Sequence, residues 1–266
     1  VARPDLVRGL ISDQLLGAFG RPAGLARIGT RVLEQGTALW NRRWLGEDAP
    51  ALLTGVMGHA IQRLPALGST AAGLVLAVLA HQGGWPIAVG GSEAIVAALA
   101  ADAEDHGAEI VTGYEVTGLA ELSGAAAVLF DTSPRALLRI AGDWLPRRYA
   151  RRLEGFRYGA GAAKVDYALC EPVPWQASAL AGAGTVHLGG PRGHMAAAEA
   201  AIARGRHADP PFVLVSQPSM FDRTRAPGGH VVWAYTHVPR GSTVDPTEAV
   251  TRRIEEFAPG FRDVIL

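Results

Sequence analysis

The sequence has a single cysteine, Cys170, among its 266 residues, which excludes an intramolecular disulfide and a cysteine-based metal cage. Lysine is equally scarce, because Lys164 is the only lysine among 25 basic residues. The acidic residues also number 25, so the formal net charge is +0. Without a basic block, the chain lacks the electrostatic footprint of a nucleic-acid-binding protein. We therefore predict no nucleic-acid partner.

Long apolar runs are absent as well. The longest, residues 71–80, is about half as long as the ~20 residues that a membrane-spanning helix needs, and it indicates a buried core helix. No apolar signal segment follows the N-terminus. These features predict a cytoplasmic protein without a membrane span, and they leave peripheral membrane association and the oligomeric state open. The chain begins without methionine and ends at Asp263-Val264-Ile265-Leu266, in the middle of a sequence pattern. We therefore expect a fragment of a longer protein.

Several familiar catalytic signatures are also missing. The nearest approach to a G-x-G-x-x-G dinucleotide motif is Gly159-Ala-Gly161, and Lys164 is not followed by the Ser or Thr of a phosphate-binding loop. Gly91-Ser92 lacks the second glycine of a nucleophile elbow, which disfavours a serine hydrolase. The eight histidines do not cluster along the chain. Because His230 and His237 are seven residues apart, they fall on opposite faces of a strand, and we predict no metal site.

Hydrophobic periodicity predicts a mixed α/β (α+β) fold with a helical front end. The predicted helices are residues 6–16, 27–40, 49–63, 69–81, 93–106, 135–142, 195–204 and 247–257. The predicted strands are residues 109–112, 115–119, 126–131, 162–168, 185–188, 212–216 and 230–237. Ser92 is placed to cap the helix over residues 93–106, and Gly107 is placed to end it.

Two polar turns could bind an anion. The pair Gly90-Gly91 opens a helix, where bare backbone amides suit either close packing or a negative group. The segment 221–235 is a polar turn that leads into an aromatic strand. In that turn Asp222 could cap backbone amides, and Arg223 or Arg225 could hold an anion. An ordinary turn and a hairpin entry explain the same two stretches without a ligand.

Lys164 stands in a strand of alternating apolar residues. Period-two alternation puts Lys164 and Asp166 on one face and Val165, Tyr167 and Leu169 on the other. We expect the Lys164 ammonium group to line a cavity beside Asp166 or a water, because a buried lysine needs a partner or a function. The alternative is a Lys164–Asp166 ion pair on a solvated face.

Nine short phrases carry a family resemblance when they are taken in order. They are Gly84-Trp-Pro86, Gly90-Gly91-Ser92, Gly107-Ala-Glu-Ile110, Asp131-Thr132-Ser-Pro134, Lys164-Val-Asp166, Pro174-Trp175, Thr185-Val-His187-Leu-Gly-Gly190, Arg225-Ala-Pro227-x-Gly229-His230 and Ala258-Pro-Gly260-Phe261. Together they resemble the phytoene dehydrogenase-related (carotenoid desaturase-like) branch of the FAD-dependent amine oxidase-like superfamily of NAD(P)/FAD-dependent oxidoreductases. The likeness spans roughly residues 55–266.

The resemblance implies an internal fragment of a flavoprotein. Members of this family begin with a strand–G-x-G-x-x-G–helix unit that cradles FAD and end with a further glycine-rich segment, and neither occurs in these residues. It implies that residues 1–85 are a helical part of the substrate domain and 86–144 a partial, Rossmann-like FAD-binding segment. Residues 145–266 would be the part of the substrate domain that contains a mixed β-sheet. We therefore expect this chain to bind FAD weakly or not at all.

Site residues are also implied by the resemblance. Val116 is similar to the residue whose backbone meets the adenine, and Gly90 and Gly91 are assigned to the cofactor. Lys164 resembles the lysine that holds a water near flavin N5, which makes it the expected catalytic residue. The expected substrate-binding residues are Trp175, Trp233 and Tyr235.

The function implied is dehydrogenation of a small apolar substrate, such as an isoprenoid, by hydride transfer to FAD. In such enzymes the flavin supplies the chemistry, while the protein orients the substrate and excludes water. The alternative is a non-catalytic binding or interaction module that derives from the family, keeps the apolar cleft and has lost the flavin.

Overall fold

Eight α-helices and four β-strands occur in residues 22–266, which are the residues that the computed structural model describes. The helices are α1 (Pro22–Gln35), α2 (Asp48–Gly58), α3 (Leu67–Gly83), α4 (Ser92–Asp105), α5 (Pro134–Ala141), α6 (Arg147–Glu154), α7 (Arg192–Ala203) and α8 (Thr247–Glu255). The strands are β1 (Gly161–Leu169), β2 (Thr185–Leu188), β3 (Val213–Ser216) and β4 (His230–Val238). The predicted mixed α/β class is confirmed. The helix predicted over residues 6–16 lies outside the described residues.

The four strands form one antiparallel sheet in the order β1-β4-β3-β2. Each was predicted from the sequence to within about two residues, because alternating apolar residues and flanking turns mark strands locally. The register sets Lys164 opposite Tyr235, Tyr235 opposite Leu214, and Leu214 opposite His187. Residues directly opposite one another share a face, so these four side chains lie on the same side of the sheet.

One face of the sheet, called the core face here, packs against the C-terminal residues. Its side chains include Tyr167, Leu169, Val213 and Val215, and they meet Val250 and Ile254 of α8 and the ring of Phe261 in one buried cluster. The Tyr167 and Phe261 rings meet edge to face with centroids 5.1 Å apart. The core therefore forms where the apolar halves of the alternating strands meet the apolar stripe of a helix.

The opposite face, called the histidine face here, carries His187, Leu214, Trp233, Tyr235 and His237, along with Lys164 and Asp166. Helix α2 packs over one end of it. The packing is close because Gly58 has no side chain: a Cβ there would stand 2.4 Å from the Phe212 ring. A Cβ on Gly55 would stand 3.1 Å from the His187 ring. Glycines on α2 thus permit the helix to approach the sheet.

The three strands predicted over residues 109–112, 115–119 and 126–131 do not form. A strand needs a neighbouring strand to satisfy its backbone hydrogen bonds, and none of these runs pairs with another among residues 22–266. Apolar side chains in them are exposed, including Ile110, Val111 and Leu129. The expectation was wrong because the alternation reports a local pattern, while pairing depends on the rest of the fold.

The described residues divide into two compact units, residues 22–94 with 160–266 and residues 95–159. The division predicted from the resemblance had its middle segment at residues 86–144. The second unit instead ends at Gly159, because α5 and α6 pack against each other within it. Helix α6 was not predicted, since its arginine-rich sequence carries few apolar residues to mark a helical face. Among the described residues, no helix is both long and apolar enough to cross a membrane.

Candidate functional site

Three histidines meet on the histidine face, in the first unit. His59, which follows α2, places its Nδ1 atom 3.1 Å from Tyr235 Oη. Its Nε2 atom lies 3.1 Å from His187 Nε2 on β2, and the Tyr235 ring lies against His237. The expectation that the histidines do not cluster is therefore wrong. Sequence spacing could not reveal the cluster, because the His59–His187 contact spans 128 residues.

Burial keeps the hydrogen-bonded histidine pair neutral. Desolvation and, to a smaller extent, the neighbouring His59 together lower the pKa of His187 to about 4. Desolvation also lowers the pKa of His59, with a smaller contribution from His237. Two imidazolium groups could not share this contact, since one ring must donate and the other accept. Burial likewise raises the pKa of the Tyr235 hydroxyl, and Glu199 adds to the effect.

His237 and Glu199 form a dyad beside this pair. The Nδ1 atom of His237 lies 2.6 Å from a carboxylate oxygen of Glu199 on α7, and both side chains are at least 97% buried, with exposed fractions of 3% and 2%. The other ring nitrogen, Nε2, is buried and has no hydrogen-bond partner among the described residues. An unsatisfied buried polar atom costs about 1–3 kcal/mol. The unpaired Nε2 atom of His237 therefore lowers the stability of the fold.

His237, which carries the unpaired nitrogen, lines a crevice between α2 and the sheet. The crevice has an empty volume of ≈ 180 Å³, part of which is open to solvent. Its lining residues are Gly55, Gly58, His59, His187, Phe212, Leu214, Tyr235 and His237. At no point is it wide enough for a water-sized sphere. Water therefore cannot satisfy the His237 nitrogen in this arrangement, because a bridging water needs at least its own volume.

A buried arginine fixes α2 against α7. Arg192 is 2% exposed and donates to Thr54 Oγ1 at 2.9 Å, to the Trp40 carbonyl at 2.6 Å and to Gln35 Oε1 at 3.3 Å. Its guanidinium also lies 4.2 Å from the centroid of the Trp40 ring. No carboxylate is within ion-pair distance of it among residues 22–266, and burial lowers its pKa to about 10.

Lys164 does not line a cavity. Its side chain is 52% exposed and forms an ion pair with Asp166, whose side chain is 68% exposed. The Lys164 ammonium also lies 5.9 Å from the Trp233 ring centroid. The cavity-lining expectation is wrong because α2 covers the other end of the histidine face. The ion pair on a solvated face is what the structure shows, and the catalytic role of Lys164 stays a prediction.

The three expected substrate-binding aromatics do not share a surface. Trp233 and Tyr235 stack on the histidine face, with ring centroids 6.2 Å apart and an interplanar angle of 10°. Trp175 lies in the core cluster instead, where its Nε1 donates to Gln217 at 2.9 Å. Its indole N–H is satisfied inside the core, as a buried tryptophan requires. Only Trp233 and Tyr235 are available together to a ligand on the histidine face.

The Gly90-Gly91 turn meets the polar turn of residues 222–225. The Gly90 amide donates to Asp222 Oδ2 at 2.8 Å, and a Cβ on Gly91 would stand 2.8 Å from Arg225 Nη1. Hydrogen bonds from Thr224 and from the Gly90 amide hold the pKa of Asp222 below its usual value. The glycine pair therefore serves close packing, and the Gly90 amide is not a bare donor for a phosphate. Val116, the third expected cofactor contact, is half-buried in the second unit.

The residues missed by sequence reasoning are His59, His187, Glu199 and His237. One signal could have found His237, since it alternates with Trp233 and Tyr235 along β4 and so shares their face. Metal binding does not explain the cluster: within residues 22–266 no three side chains of the metal-binding types are placed to hold an ion. The arrangement is suited to hydrogen bonding and to holding a proton.

Comparisons of the chain with family models, with curated proteins and with solved structures found no match. The function is therefore argued from the geometry of the histidine face and from the resemblance of the nine sequence phrases. Seven of the nine phrases lie in the first unit, which also contains the crevice, the stacked aromatics and the Gly90–Asp222 contact, and the other two lie in the second unit.

Proposed function

We propose that this chain is the substrate-binding part of an FAD-dependent dehydrogenase similar to the phytoene dehydrogenase-related enzymes, acting on an apolar, isoprenoid-like substrate. The observation that carries the proposal is the contact between the Gly90-Gly91 turn and Asp222 with Arg225. Gly91 of one phrase of the resemblance therefore lies against Arg225 of another, and the Gly90 amide bonds to Asp222, 132 residues away in the sequence. If the likeness of these short phrases were accidental, there would be no reason to expect the phrases to contact one another in the fold.

The histidine face supports an apolar substrate. The stacked rings of Trp233 and Tyr235 offer a flat surface of the kind that buries extended apolar molecules. Leu214 of β3, opposite Tyr235, is buried and lines the crevice next to these rings. In this arrangement the protein would orient the substrate and keep water from one side of it, while the ion pair of Lys164 and Asp166 stands at the open edge.

The residues expected to contact FAD do not make a cradle for its pyrophosphate. The Gly90 amide is taken by Asp222, and the Gly91 backbone lies beneath the guanidinium of Arg225. A phosphate beside Gly90 would also face the Asp222 carboxylate, which repels it. FAD binding in the parent enzyme therefore has to come from other residues, and flavin, when bound there, would accept the hydride.

The test is to purify the product of the complete reading frame and record its visible spectrum. We expect the absorbance of oxidised flavin, and we expect anaerobic addition of an isoprenoid polyene such as phytoene in detergent micelles to bleach it. A folded product without flavin that still binds the polyene would favour the non-catalytic binding module. Tight, stoichiometric FAD on the 266-residue chain alone would show that the predicted boundaries are wrong.

A pair of glycine variants tests the contact that carries the proposal. Gly91→Ala forces a Cβ against Arg225, while Gly84→Ala meets nothing within 4 Å. Both positions have a positive φ, +98° and +72°, so the backbone strain of the two variants is matched. We expect Gly91→Ala to lower the turnover of the complete protein much more than Gly84→Ala. Equal effects would remove the Gly91–Arg225 contact from the argument.

A further inference from the structure

The His237–Glu199 dyad leaves one nitrogen for a ligand. An ionised carboxylate only accepts hydrogen bonds, so the contact with Glu199 places a proton on His237 Nδ1. The Nε2 atom then offers a lone pair when the ring is neutral and an N–H when it is protonated. A hydroxyl group pairs with Nε2 in either state, because it both donates and accepts. A carbonyl pairs only with the protonated ring, and an ammonium group only with the neutral one.

The charges around the crevice disfavour an anion. Glu199 supplies a carboxylate, and the low pKa values of His59 and His187 leave those two rings uncharged. Burial also keeps Tyr235 in its neutral form, since its pKa is raised. A carboxylate or phosphate entering the crevice would find no cation among its lining residues and would lose its hydration. The ligand group that fits is neutral and polar.

The apolar part of such a ligand has a surface next to the crevice. Tyr235 lines the crevice and stacks on Trp233 farther along the histidine face. Because the crevice is too narrow for a free water, the polar group has to enter as part of a larger molecule that displaces α2 or the Phe212 ring. Such a molecule would be anchored on the two stacked rings and would reach His237 with its polar end.

We propose that the crevice is a binding site for an apolar alcohol, whose hydroxyl group pairs with His237 Nε2. This step rests on the proposed function for its biological meaning: the substrate of the dehydrogenase is then a hydroxylated apolar molecule, not a plain hydrocarbon. His237 recognises the substrate at its end and is a specificity-determining residue. Glu199 is a positioning residue, because it acts only through the His237 ring.

The experiment compares three probes of matched shape on the 266-residue chain: benzyl alcohol, benzylamine and toluene. Binding is followed by tryptophan fluorescence and by the ¹⁵N chemical shift of His237 Nε2. We expect benzyl alcohol to bind at least roughly tenfold more tightly than toluene, equivalent to about 1.4 kcal/mol, and to shift the Nε2 resonance. Toluene should leave that resonance in place, and benzylamine should bind less tightly than the alcohol.

Variants separate recognition from folding. His237→Phe alone would leave Glu199 buried without a partner, so the double variant Glu199→Leu/His237→Phe replaces the whole dyad with apolar side chains. It should fold and lose the preference for alcohol over toluene. The control is His207→Phe, whose ring is exposed and contacts Ser242, and it should keep the preference.

Three results would overturn the alcohol site. They are equal binding of alcohol and toluene, equal or tighter binding of benzylamine, and alcohol binding that leaves His237 Nε2 unshifted. None of these measurements involves flavin. Loss of the dehydrogenase proposal would therefore appear as a complete protein without flavin whose alcohol preference is intact, and loss of the alcohol site would leave flavin content unchanged.

Discussion

The two faces of the sheet are built from the same four strands, but they differ in what they bury. The core face buries mostly aliphatic and aromatic side chains, and Tyr167 Oη pairs with Thr251 Oγ1 at 2.9 Å within it. At its edge His230 Nδ1, on the first residue of β4, has no partner among the described residues. The histidine face buries ionisable side chains under α2 and leaves His237 Nε2 without a partner. Unpaired buried polar atoms are costly and are concentrated where a protein binds or reacts. The cluster of buried ionisable side chains under α2 distinguishes the histidine face, and we assign ligand binding to that face and stability to the core face.

The largest expected effect comes from removing a ring from the core face. Phe261→Ala deletes a fully buried ring that meets Tyr167 edge to face, and we expect it to lower the free energy of unfolding by about 3–5 kcal/mol. Chemical denaturation measures the loss. The matched control is Phe221→Ala, since Phe221 is 53% exposed and its loss should cost far less. Similar costs for both variants would contradict the assignment of the core.

The next effect comes from the arginine that holds α2 over the histidine face. Arg192→Met keeps much of the side-chain volume but removes the hydrogen bonds to Thr54, Trp40 and Gln35. We expect a loss of about 3 kcal/mol in the free energy of unfolding, since hydrogen bonds to a charged group contribute about 1.5–3 kcal/mol each and are not additive. Arg204→Met, at the exposed end of α7, is the control. An unchanged free energy of unfolding in Arg192→Met would mean that other contacts hold α2.

Acid should weaken the histidine face before the core face. The folded-state pKa of His187 is about 4, below the ordinary value of 6.5, so the unfolded chain binds the extra proton between these two pH values. Stability from the neutral ring is present above pH 6.5 and is lost as the pH falls toward 4, by at most about 1.4 kcal/mol per pH unit.

The measurement for this effect is the free energy of unfolding as a function of pH for the wild type and for His187→Phe. The variant has no group to titrate at that position, so its slope between pH 6.5 and 4 should be smaller. His106→Phe, which changes an exposed ring in the second unit, should follow the wild-type curve. Identical slopes for all three proteins would show that His187 is not sealed beneath α2.

The smallest effect is expected at the open edge of the histidine face. Lys164→Met removes one member of an ion pair whose two side chains are 52% and 68% exposed. Exposed pairs contribute about 0–1 kcal/mol, so thermal or chemical unfolding should change little. A larger loss would mean that Lys164 is covered in solution. If Lys164 has the predicted catalytic role, the same variant slows flavin reduction in the complete enzyme while folding survives.

Local patterns sufficed for the sheet and for most helices. The alternation Lys164, Asp166 against Val165, Tyr167 already places the polar pair on one face, and the structure keeps it there. The same kind of pattern failed at residues 109–112, where no partner strand is present among the described residues. Pairing is a tertiary property, so alternation alone cannot decide it.

The site was harder to predict than the fold. His59 follows a helix, His187 lies on an edge strand and His237 lies near the end of a central strand. Only the tertiary packing of α2 brings them together. The tight approach depends on Gly55 and Gly58, whose role appears only once the facing rings are known. Lys164 attracted notice because it is the only lysine in the sequence. That fact gives no information about which part of a strand is exposed to solvent.

The most direct test of the difference between the two faces is a pH titration of the histidine side chains by ¹³C and ¹⁵N NMR on the 266-residue chain. The structure predicts that His187 stays neutral until the pH approaches about 4 and that the pKa of His59 also lies below 6.5. It further predicts that the chemical shifts of each ring change when the other ring is protonated. Ordinary titration of both rings near 6.5, without mutual effects, would contradict the account, because α2 would then not cover this face of the sheet.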